Sequence, residues 1–341
     1  MRRSRDFFTP ARLAAAGLVL LGLVGFLLWA TPTDSYIFLP NKTHAVEPLV
    51  DVEGAKPDDD GGGIYYVDVL VRKATLLERL WPGLREGSTI VPASSVRPPG
   101  VSDEERRREE LRAMDLSQDV AAAVALRELG YDVDAIPIGV RVESVDSSAP
   151  AFEKLERGDV IVRVDGRRVT TPPELRRLIR EREPGETVRL VVRRDGKRRQ
   201  VDVGTIADDD GDPIIGVLVD QAARIKLPID VDIDSRGVGG PSAGLAFALD
   251  VMEELGRDVD KGNRVAVTGS IGLDGSVGEI GGMKQKAIAV ARSNADVFLV
   301  PSGDNAREAR RYADGVRVVP VRSFQQALRA LATLPRNGQE A

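Results

Sequence analysis

The sequence of 341 residues contains no cysteine and a single histidine, His44. The missing thiols exclude cysteine catalysis, disulfide frameworks and cysteine-based zinc sites, and one imidazole cannot build a two-histidine metal site. We therefore expect no metal and no cofactor. A Ser-His-Asp triad would have to use His44, which lies in a short polar stretch rather than on a packed scaffold, so a histidine base is disfavoured.

Aromatic residues are also scarce, at 4% of the chain, although hydrophobic residues make up 42%. This content suffices for modest cores and predicts two or three small units. Charged residues of both signs are interspersed, and the formal net charge is -5. A nucleic-acid-binding surface needs a clustered basic face, so we expect no nucleic-acid partner.

One apolar run, Leu13 to Ala30, carries no charge. Its length is at the lower end of the about 17 to 25 residues that a transmembrane helix needs. Arginines precede it at positions 2, 3, 5 and 12, and the positive-inside rule leaves the N-terminus in the cytoplasm and the rest outside. A cleaved signal peptide is the alternative, but the run exceeds a typical signal core and its end lacks the usual small residue two before a cleavage point. We predict a single-pass anchor in the cell membrane.

An alanine-rich helix, Ser117 to Leu129, precedes a compact β-rich unit. Its runs Val140 to Val145, Val160 to Val164 and Val188 to Arg193 predict strands, with a helix near Pro173 to Arg180. Glycine and aspartate turns separate the strands. One interpretation is simply a small β-rich fold in which the glycines make turns.

The sequence motifs of this unit give a second interpretation. The runs from Gly139 to Val145, Gly158 to Ile161 and Val164 to Gly166 resemble a PDZ domain of bacterial envelope proteases, over residues 135–203. PDZ domains bind a peptide as an added strand and capture its carboxylate with backbone amides. The resemblance implies that the carboxylate-binding loop is formed by Ile136, Ile138, Gly139 and Val140. Pro137 within it has no amide donor.

Ser242 is placed by a predicted strand, turn and helix at Leu227 to Ile233, Asp234 to Gly240 and Pro241 to Leu255. Amide donors and the positive end of the helix dipole gather at such a helix start and favour an alkoxide or an oxyanion. By position alone, however, a helix cap explains Ser242 more simply.

Two motifs favour a catalytic role for Ser242 over a role as a helix cap. The segment Gly240-Pro241-Ser242-Ala243-Gly244 resembles the serine motif of Lon-type peptidases, and Val265 to Gly269 followed by Gly281-Gly282-Met283-Lys284-Gln285-Lys286 resembles their lysine motif. The resemblance implies that Ser242 is the nucleophile, that Lys286 is its general base and that Thr268 orients the lysine. It also implies that Gly240, Pro241 and Ala243 support the serine.

Lys284 is the competing base. The two lysines lie about 200° apart on an ideal helix, so only one faces Ser242. Apolar residues flank both, and periodicity does not decide; the family pattern favours Lys286. Either lysine must have its pKa lowered by burial from about 10.4 toward roughly 7 to 8 to act as a base.

The pattern departs from Lon at two positions, because Gly239 and Ser270 stand where acidic residues are usual. These departures bear on tuning of the site and on substrate alignment. The chain has no Gly-x-x-x-x-Gly-Lys-[Ser/Thr] nucleotide loop, so we expect no use of ATP.

The predicted fold class is α+β, with one N-terminal transmembrane helix and a PDZ-like β-rich domain inserted in a Lon-type proteolytic domain before the serine motif. The predicted segments are 1–33 (cytoplasmic tip and anchor), 34–133 (first part of the Lon-like domain), 134–205 (PDZ), 206–335 (Lon-type proteolytic domain) and 336–341 (tail). As a whole the chain resembles the anchored PDZ-and-Lon peptidases of Gram-positive bacteria, the YlbL-like family.

The resemblance implies an ATP-independent serine endopeptidase that cleaves unfolded or PDZ-selected envelope proteins on the extracytoplasmic side. Its partners would be protein or peptide substrates, the membrane and further copies of itself, as a hexamer. A catalytically weak PDZ adaptor that docks membrane or envelope partners is the alternative.

Overall fold

The computed structural model of the chain describes residues 10–56, 61–96, 102–146, 148–194, 196–208 and 211–336. Its first element is α1 (Pro10–Ala30), whose described side chains are almost all exposed. Within the described ranges it is the one helix long and apolar enough to cross a membrane. The arginines at positions 2, 3 and 5 and the tail after residue 336 lie outside the described residues, so the orientation of α1 stays a prediction.

The remaining helices are interspersed among the strands. The strands are β1 (Pro32–Ala45), β2 (Val50–Val52), β3 (Gly63–Thr75), β4 (Thr89–Pro92), β5 (Asp134–Val145), β6 (Val160–Val164), β7 (Arg167–Arg168), β8 (Thr187–Arg194), β9 (Lys197–Gly204), β10 (Ile206–Ala207), β11 (Pro213–Ile214), β12 (Val217–Lys226), β13 (Val231–Ile233), β14 (Arg264–Val267), β15 (Ser270–Ile271), β16 (Val277–Gly278), β17 (Val297–Pro301) and β18 (Arg317–Val321). The helices are α2 (Leu76–Leu80), α3 (Asp103–Glu128), α4 (Pro172–Ile179), α5 (Gly244–Glu254), α6 (Met283–Ala291), α7 (Asp304–Tyr312) and α8 (Phe324–Ala332). This mixed content confirms the predicted α+β class.

The first of two six-stranded sheets has the order β18-β17-β14-β3-β1-β4. Its neighbours β3, β14, β17 and β18 run parallel, whereas β1 is antiparallel to both β3 and β4. Side chains alternate across it, so Val265 and Val267 of β14 enter the core under α3, α5 and α8, while Ala266 enters the core under α6 and α7. Helices therefore cover both faces of this sheet, as parallel strands require.

The predicted alanine-rich helix is the second half of one long helix, α3. Ser102 and Glu105 open it with a capping box, and Gly130 follows its end at φ +88°. Ala121, Ala123 and Ala125 are fully buried. The small side chains of Ala121 and Ala125, which lie in the same core as α5, let α3 lie close against α5, beside the turn that carries Ser242.

The second sheet has the order β12-β5-β6-β8-β9, with β7 beside β6, and it encloses its own apolar core together with α4. It is inserted in the chain between α3 and the turn of Ser242. Its outer strand β12 begins at Val217, so the sheet extends beyond the boundary predicted at residue 205.

Three local predictions need correction. The strand predicted from Leu227 is shorter and starts at Val231, where it pairs with β2. The helix predicted from Pro241 starts as a single 3-10 turn, Pro241–Ala243, before α5. His44, predicted to lie in a short polar stretch rather than on a packed scaffold, lies in β1, which continues through it in register with β3. Its ring stacks on Tyr66 with centroids 5.0 Å apart.

Candidate active site

The turn that carries Ser242 is fixed by α3. The Gly240 N–H donates to the Glu110 carbonyl at 2.9 Å, and the Ser117 hydroxyl donates to the Pro241 carbonyl at 3.2 Å. Gly240 adopts φ +91° in open space, so the backbone conformation rather than crowding demands glycine there. Proline next fixes the backbone for the start of the 3-10 turn. Ser242 is thereby half-buried ahead of α5.

A second set of contacts ties the turn to the end of β14. The carbonyl of Ser242 accepts hydrogen bonds from the Gly269 N–H at 2.8 Å and from the Thr268 hydroxyl at 3.2 Å. The Leu245 N–H donates back to the Gly269 carbonyl at 3.1 Å. Ser242 is therefore held between α3 on one side and the carboxyl end of a central strand on the other.

Lys286 reaches the same point from α6. Its Nζ donates to Ser242 Oγ at 2.7 Å and to Thr268 Oγ1 at 3.0 Å. Gly282, left-handed at φ +71°, opens α6, and its carbonyl accepts from the Lys286 N–H at 3.0 Å. The structure thus brings together the three residues that the motifs singled out, Ser242, Lys286 and Thr268.

Burial sets the ionisation of this lysine. Lys286 is 4% exposed and Thr268 is completely buried. Loss of hydration disfavours the charged ammonium and lowers the pKa of Lys286 to about 7, while the nearby charge of Asp68 opposes that change. A large fraction of Lys286 is therefore neutral at physiological pH, and the neutral amine is the form that can accept the serine proton.

Lys284 points elsewhere. Its Nζ donates to the Ser88 carbonyl at 3.4 Å and lies 5.6 Å from the centroid of the Tyr312 ring. Gln285 between the two lysines is buried and donates to the Gly87 carbonyl and the Thr89 hydroxyl. These contacts orient α6 so that only Lys286 contacts Ser242.

The location of the three residues follows from the first sheet. Ser242 and α5 lie on one face, α6 and Lys286 lie on the other, and Thr268 directly follows β14 between them. Groups carried by helices on opposite faces can meet only at an end of the strands, and ligand sites of such sheets lie at the carboxyl ends. The site occupies that position.

The predicted carboxylate-binding loop is not found as a loop. Ile136, Ile138, Gly139 and Val140 lie inside β5, which pairs with β12 along its length. Val140 also pairs with Ile161 of β6. Because these backbone groups already belong to a sheet, they do not form a nest for a peptide carboxylate, and that prediction is wrong. The strand that covers them comes about eighty residues later in the chain.

A cleft of about 820 Å³ opens beside Ser242. One wall consists of α4 and β12 of the second sheet, and the other consists of Ser270, the β15–β16 hairpin and the segment from Gly278 to Gly281 ahead of α6. Ser270, one of the two departures from the Lon pattern, thus lines the cleft. Gly239 packs against the backbone of α3, where a Cβ would lie 2.8 Å from Glu110 Cβ.

Sequence reasoning missed two features of the site. Ser117 gave no signal beyond being a hydroxyl within an alanine-rich helix, and its bond to Pro241 needs the packing of α3. The cleft wall on β12 was also missed, because the strand lies past the predicted end of the PDZ-like unit. The alternation of Val217, Val219 and Gln221 with their neighbours could have indicated a half-buried strand.

One acidic group has the spacing of a metal site. Oxygen atoms of Glu253, Asp258 and Asp260 lie within 4.8 Å of one another. The Glu253 carboxylate, however, accepts the backbone N–H groups of Val259 and Asp260, and Asp258 pairs with Arg336. These partners show that the carboxylates hold the loop that follows α5 in place, so the cluster does not indicate a metal.

Comparison with protein families finds two known domains in the chain. A PDZ domain model matches residues 109–205, and the model of the Lon protease (S16) C-terminal proteolytic domain matches residues 223–332. The Lon match contains Ser242, Thr268 and Lys286.

Individual relatives agree with the second match. The chain is 31% identical over 121 residues to Lon protease 2 of Bacillus subtilis, which covers 36% of this chain and 21% of that protein. It is 29% identical over 126 residues to the Lon protease of Buchnera aphidicola subsp. Schizaphis graminum, covering 36% of this chain and 16% of that protein. The chain thus spans about a fifth or less of the length of these relatives.

A solved structure is also similar to part of the chain. It is the PDZ domain of the SdrC-like protein from Listeria monocytogenes, 31% identical, covering 24% of this chain and 87% of that one with a TM-score of 0.23. The half-buried Ser242 and the buried Lys286 both lie in the part of the chain that the Lon domain matches. This chain carries a PDZ domain and the proteolytic domain of the Lon-type serine peptidases.

Proposed function

We propose that the chain is a membrane-anchored serine endopeptidase that works without ATP through a Ser242 and Lys286 dyad. The observation that carries the proposal is the 2.7 Å contact between Lys286 Nζ and Ser242 Oγ, made by a lysine whose pKa burial lowers to about 7. A lysine with an ordinary pKa would be almost wholly protonated at pH 7 and unable to act as a base.

The proposed reaction is acyl transfer. Neutral Lys286 takes the proton of the Ser242 hydroxyl as Oγ attacks the carbonyl carbon of the scissile peptide bond. The resulting ammonium then gives that proton to the leaving amine, and the acyl group stays on Oγ. A water molecule, deprotonated by the regenerated amine of Lys286, attacks the ester and releases the second product.

Thr268 is proposed to position the base. Its hydroxyl accepts from Lys286 Nζ and donates to the Ser242 carbonyl, so one side chain links the base to the backbone of the nucleophile. The start of α5 supplies the positive end of a helix dipole beside Ser242 Oγ, where the oxyanion of the tetrahedral intermediate would form.

The cellular setting is proposed from the sequence and from α1. The uncharged apolar run Leu13–Ala30 of α1, with its exposed side chains, favours a single-pass anchor, with the catalytic unit on the extracytoplasmic side. The absence of a nucleotide-binding loop from the sequence supports independence from ATP and suits already unfolded envelope proteins or peptides as substrates. Assembly into a hexamer is proposed only by resemblance to Lon-type domains.

The experiment is to incubate the full-length protein in detergent with an unstructured protein, without ATP, beside Ser242→Ala, Lys286→Ala and Lys284→Ala. We expect cleavage to disappear in the first two variants and to persist in the third. Cleavage that survives in Ser242→Ala would overturn the mechanism. Binding of the unstructured protein without cleavage by the unaltered chain would instead favour the adaptor role.

A further inference from the structure

Three large apolar side chains are exposed on the short segment that follows β3. Leu80, Trp81 and Leu84 are 54%, 57% and 54% exposed, at the end of α2 and in the 3-10 turn Pro82–Leu84. A single exposed leucine is ordinary, but a group of large apolar side chains that includes a tryptophan marks a contact surface. None of the three lines the cleft beside Ser242, so the proposed reaction leaves them unexplained.

Buried polar contacts hold this segment in a fixed orientation. Glu78 of α2 is buried, and its carboxylate accepts hydrogen bonds from the guanidinium of Arg72 at 2.9 Å and 2.6 Å. The same carboxylate accepts from the Thr75 N–H at 3.0 Å, while the Thr75 hydroxyl accepts from the Glu78 N–H. These two bonds form a capping box at the start of α2. Leu80 and Trp81 therefore face outward from a well-anchored helix rather than from a free loop.

The segment begins at the end of the proposed membrane span. The Leu76 N–H donates to the Thr31 carbonyl at 2.9 Å, and Thr75 is paired with Pro32 at the start of β1. Thr31 directly follows α1. The first residue of α2 thus lies at the level where α1, as a spanning helix, would leave the hydrocarbon layer.

From that point α2 stays beside α1. The two helices are in contact, and Leu28, about one turn before Thr31, is partly buried while its neighbours Leu27 and Trp29 are exposed. Tryptophan at the end of a spanning helix is typical of the boundary between lipid and water. A segment beside that turn lies in the same boundary region, where apolar faces are buried about 5 to 10 Å deep between headgroups and acyl chains.

Charge on the segment fits this location. Arg79 and Arg85 flank the apolar side chains and are exposed, so their guanidinium groups can reach lipid phosphates. Glu78 is the only acidic residue between positions 76 and 85, and it is buried in its pair with Arg72 and lies 3.5 Å from Arg85. Exposed leucine, tryptophan and arginine without an exposed carboxylate are the composition of an interfacial membrane segment.

We infer that the segment Leu76–Leu84 is a second membrane contact, in which Leu80, Trp81 and Leu84 enter the lipid interface beside α1. This inference rests on the proposed membrane anchor. One spanning helix alone lets the attached domain tilt, whereas two contact points fix the orientation of the first sheet relative to the bilayer, because α2 continues directly from β3.

The test uses the two tryptophans of the chain as separate reporters. In full-length Trp29→Phe only Trp81 remains, and in Trp81→Phe only Trp29 remains. Both variants are reconstituted into vesicles of phosphatidylcholine and phosphatidylglycerol, with and without bromine atoms in the upper part of the acyl chains. We expect the brominated lipid to lower the fluorescence of Trp81 about twofold or more, as it should for Trp29.

Two further substitutions in the Trp29→Phe protein sharpen the test. Leu80→Glu should remove most of the quenching of Trp81, because a carboxylate disfavours insertion into lipid. Leu70→Glu is the matched control, since Leu70 is 49% exposed but lies in β3, about 17 Å along the strand from Thr75. It should leave the quenching unchanged, and equal quenching in both variants would overturn the inference.

The two reporters separate this inference from the anchor on which it rests. Quenching of Trp29 without quenching of Trp81 overturns the second contact and leaves the anchor intact, whereas quenching of neither refutes the anchor itself. Trp81 that is shielded from iodide in the water but not quenched by brominated lipid would instead be covered by a second copy of the chain. That result also overturns the inference.

Discussion

The two sheets of this molecule differ in what they leave open. The first sheet is covered by helices on both faces, and its dyad lies where those helices meet at the end of β14, with Lys286 almost completely buried. The second sheet leaves one side of its edge strand β12 without a partner strand among the described residues. Burial gives the first sheet a lysine whose pKa is lowered to about 7, whereas the free edge of the second sheet has backbone groups that can pair with an added strand. A buried lysine and a free strand edge thus have opposite structural requirements, and one cleft borders both Ser242 and β12.

The largest effect is expected from removing the buried amine. Lys286→Met should lower kcat/KM about a thousandfold or more, because no other described base contacts Ser242. The same change should stabilise the fold. Holding the pKa of this lysine at about 7 rather than 10.5 costs roughly 4 to 5 kcal/mol of the free energy of unfolding at neutral pH.

The sign of that cost fixes its pH dependence. The unfolded chain binds the Lys286 proton up to about pH 10.5 and the folded chain only up to about 7, so the stability of the unaltered protein rises with pH in this window. Thermal unfolding at pH 6 and pH 9 should show the advantage of Lys286→Met shrinking as pH rises. Lys284→Met, the matched control on the same helix, should retain activity, and an equal loss in both variants would contradict the assignment.

Gly240→Ala tests whether the turn itself fixes the nucleophile. The φ of +91° disfavours any residue with a Cβ, although no atom lies within 4 Å of the added methyl group. We expect a tenfold to hundredfold loss of kcat with a destabilisation of about 1 kcal/mol. Gly196→Ala, at a similarly open left-handed position in the β8–β9 turn, is the control. It should cost comparable stability and leave kcat unchanged.

A smaller effect is expected from the carboxylates of the cleft. Glu279→Gln should reduce the preference for a peptide with a central lysine over one with a central glutamate by about threefold, or about 0.6 kcal/mol. The readout is kcat/KM for both peptides at low and high salt. A preference that is unchanged by the substitution and by salt would show that this wall of the cleft does not recognise the charge of the peptide.

Asp68→Asn should produce the smallest change, a displacement of the pH profile. The Asp68 carboxylate raises the pKa of Lys286, so its neutralisation should lower that pKa further and move the acidic limb of kcat/KM to lower pH. Asp68 also contacts His44 and Asn41, so the variant should be checked for an unaltered melting temperature. A limb that moves to higher pH would contradict this account of the electrostatics.

The residues of the dyad could be predicted from sequence because they lie in two short motifs. Spacing along the helix could not separate Lys284 from Lys286; the contacts of Lys284 and Gln285 with residues 87 to 89 do so, and these need the folded chain. The predicted peptide-binding loop failed for the same reason. The sequence of residues 136–140 is typical of a turn, but a strand that is distant in sequence pairs with them.

The order of the strands in the first sheet also could not be predicted from the sequence. The strand order β18-β17-β14-β3-β1-β4 joins segments from both sides of the inserted sheet, and no local pattern specifies it. Its polar neighbours predicted that His44 lies outside the packed scaffold, yet pairing with β3 makes it part of a strand of the first sheet. Local composition determines which segments are apolar, whereas the partner of each segment is determined by packing.

The proposed role of Lys286 as the base is tested most directly by the rate at which a fluorophosphonate probe labels Ser242. The rate is measured in the full-length protein, without ATP, from pH 5 to 10. We expect the rate to rise with a midpoint near pH 7, to follow the neutral form of Lys286, to survive in Lys284→Ala and to disappear in Lys286→Ala. Labelling of Ser242 that continues at the same rate in Lys286→Ala would contradict the central claim that this buried lysine is the base.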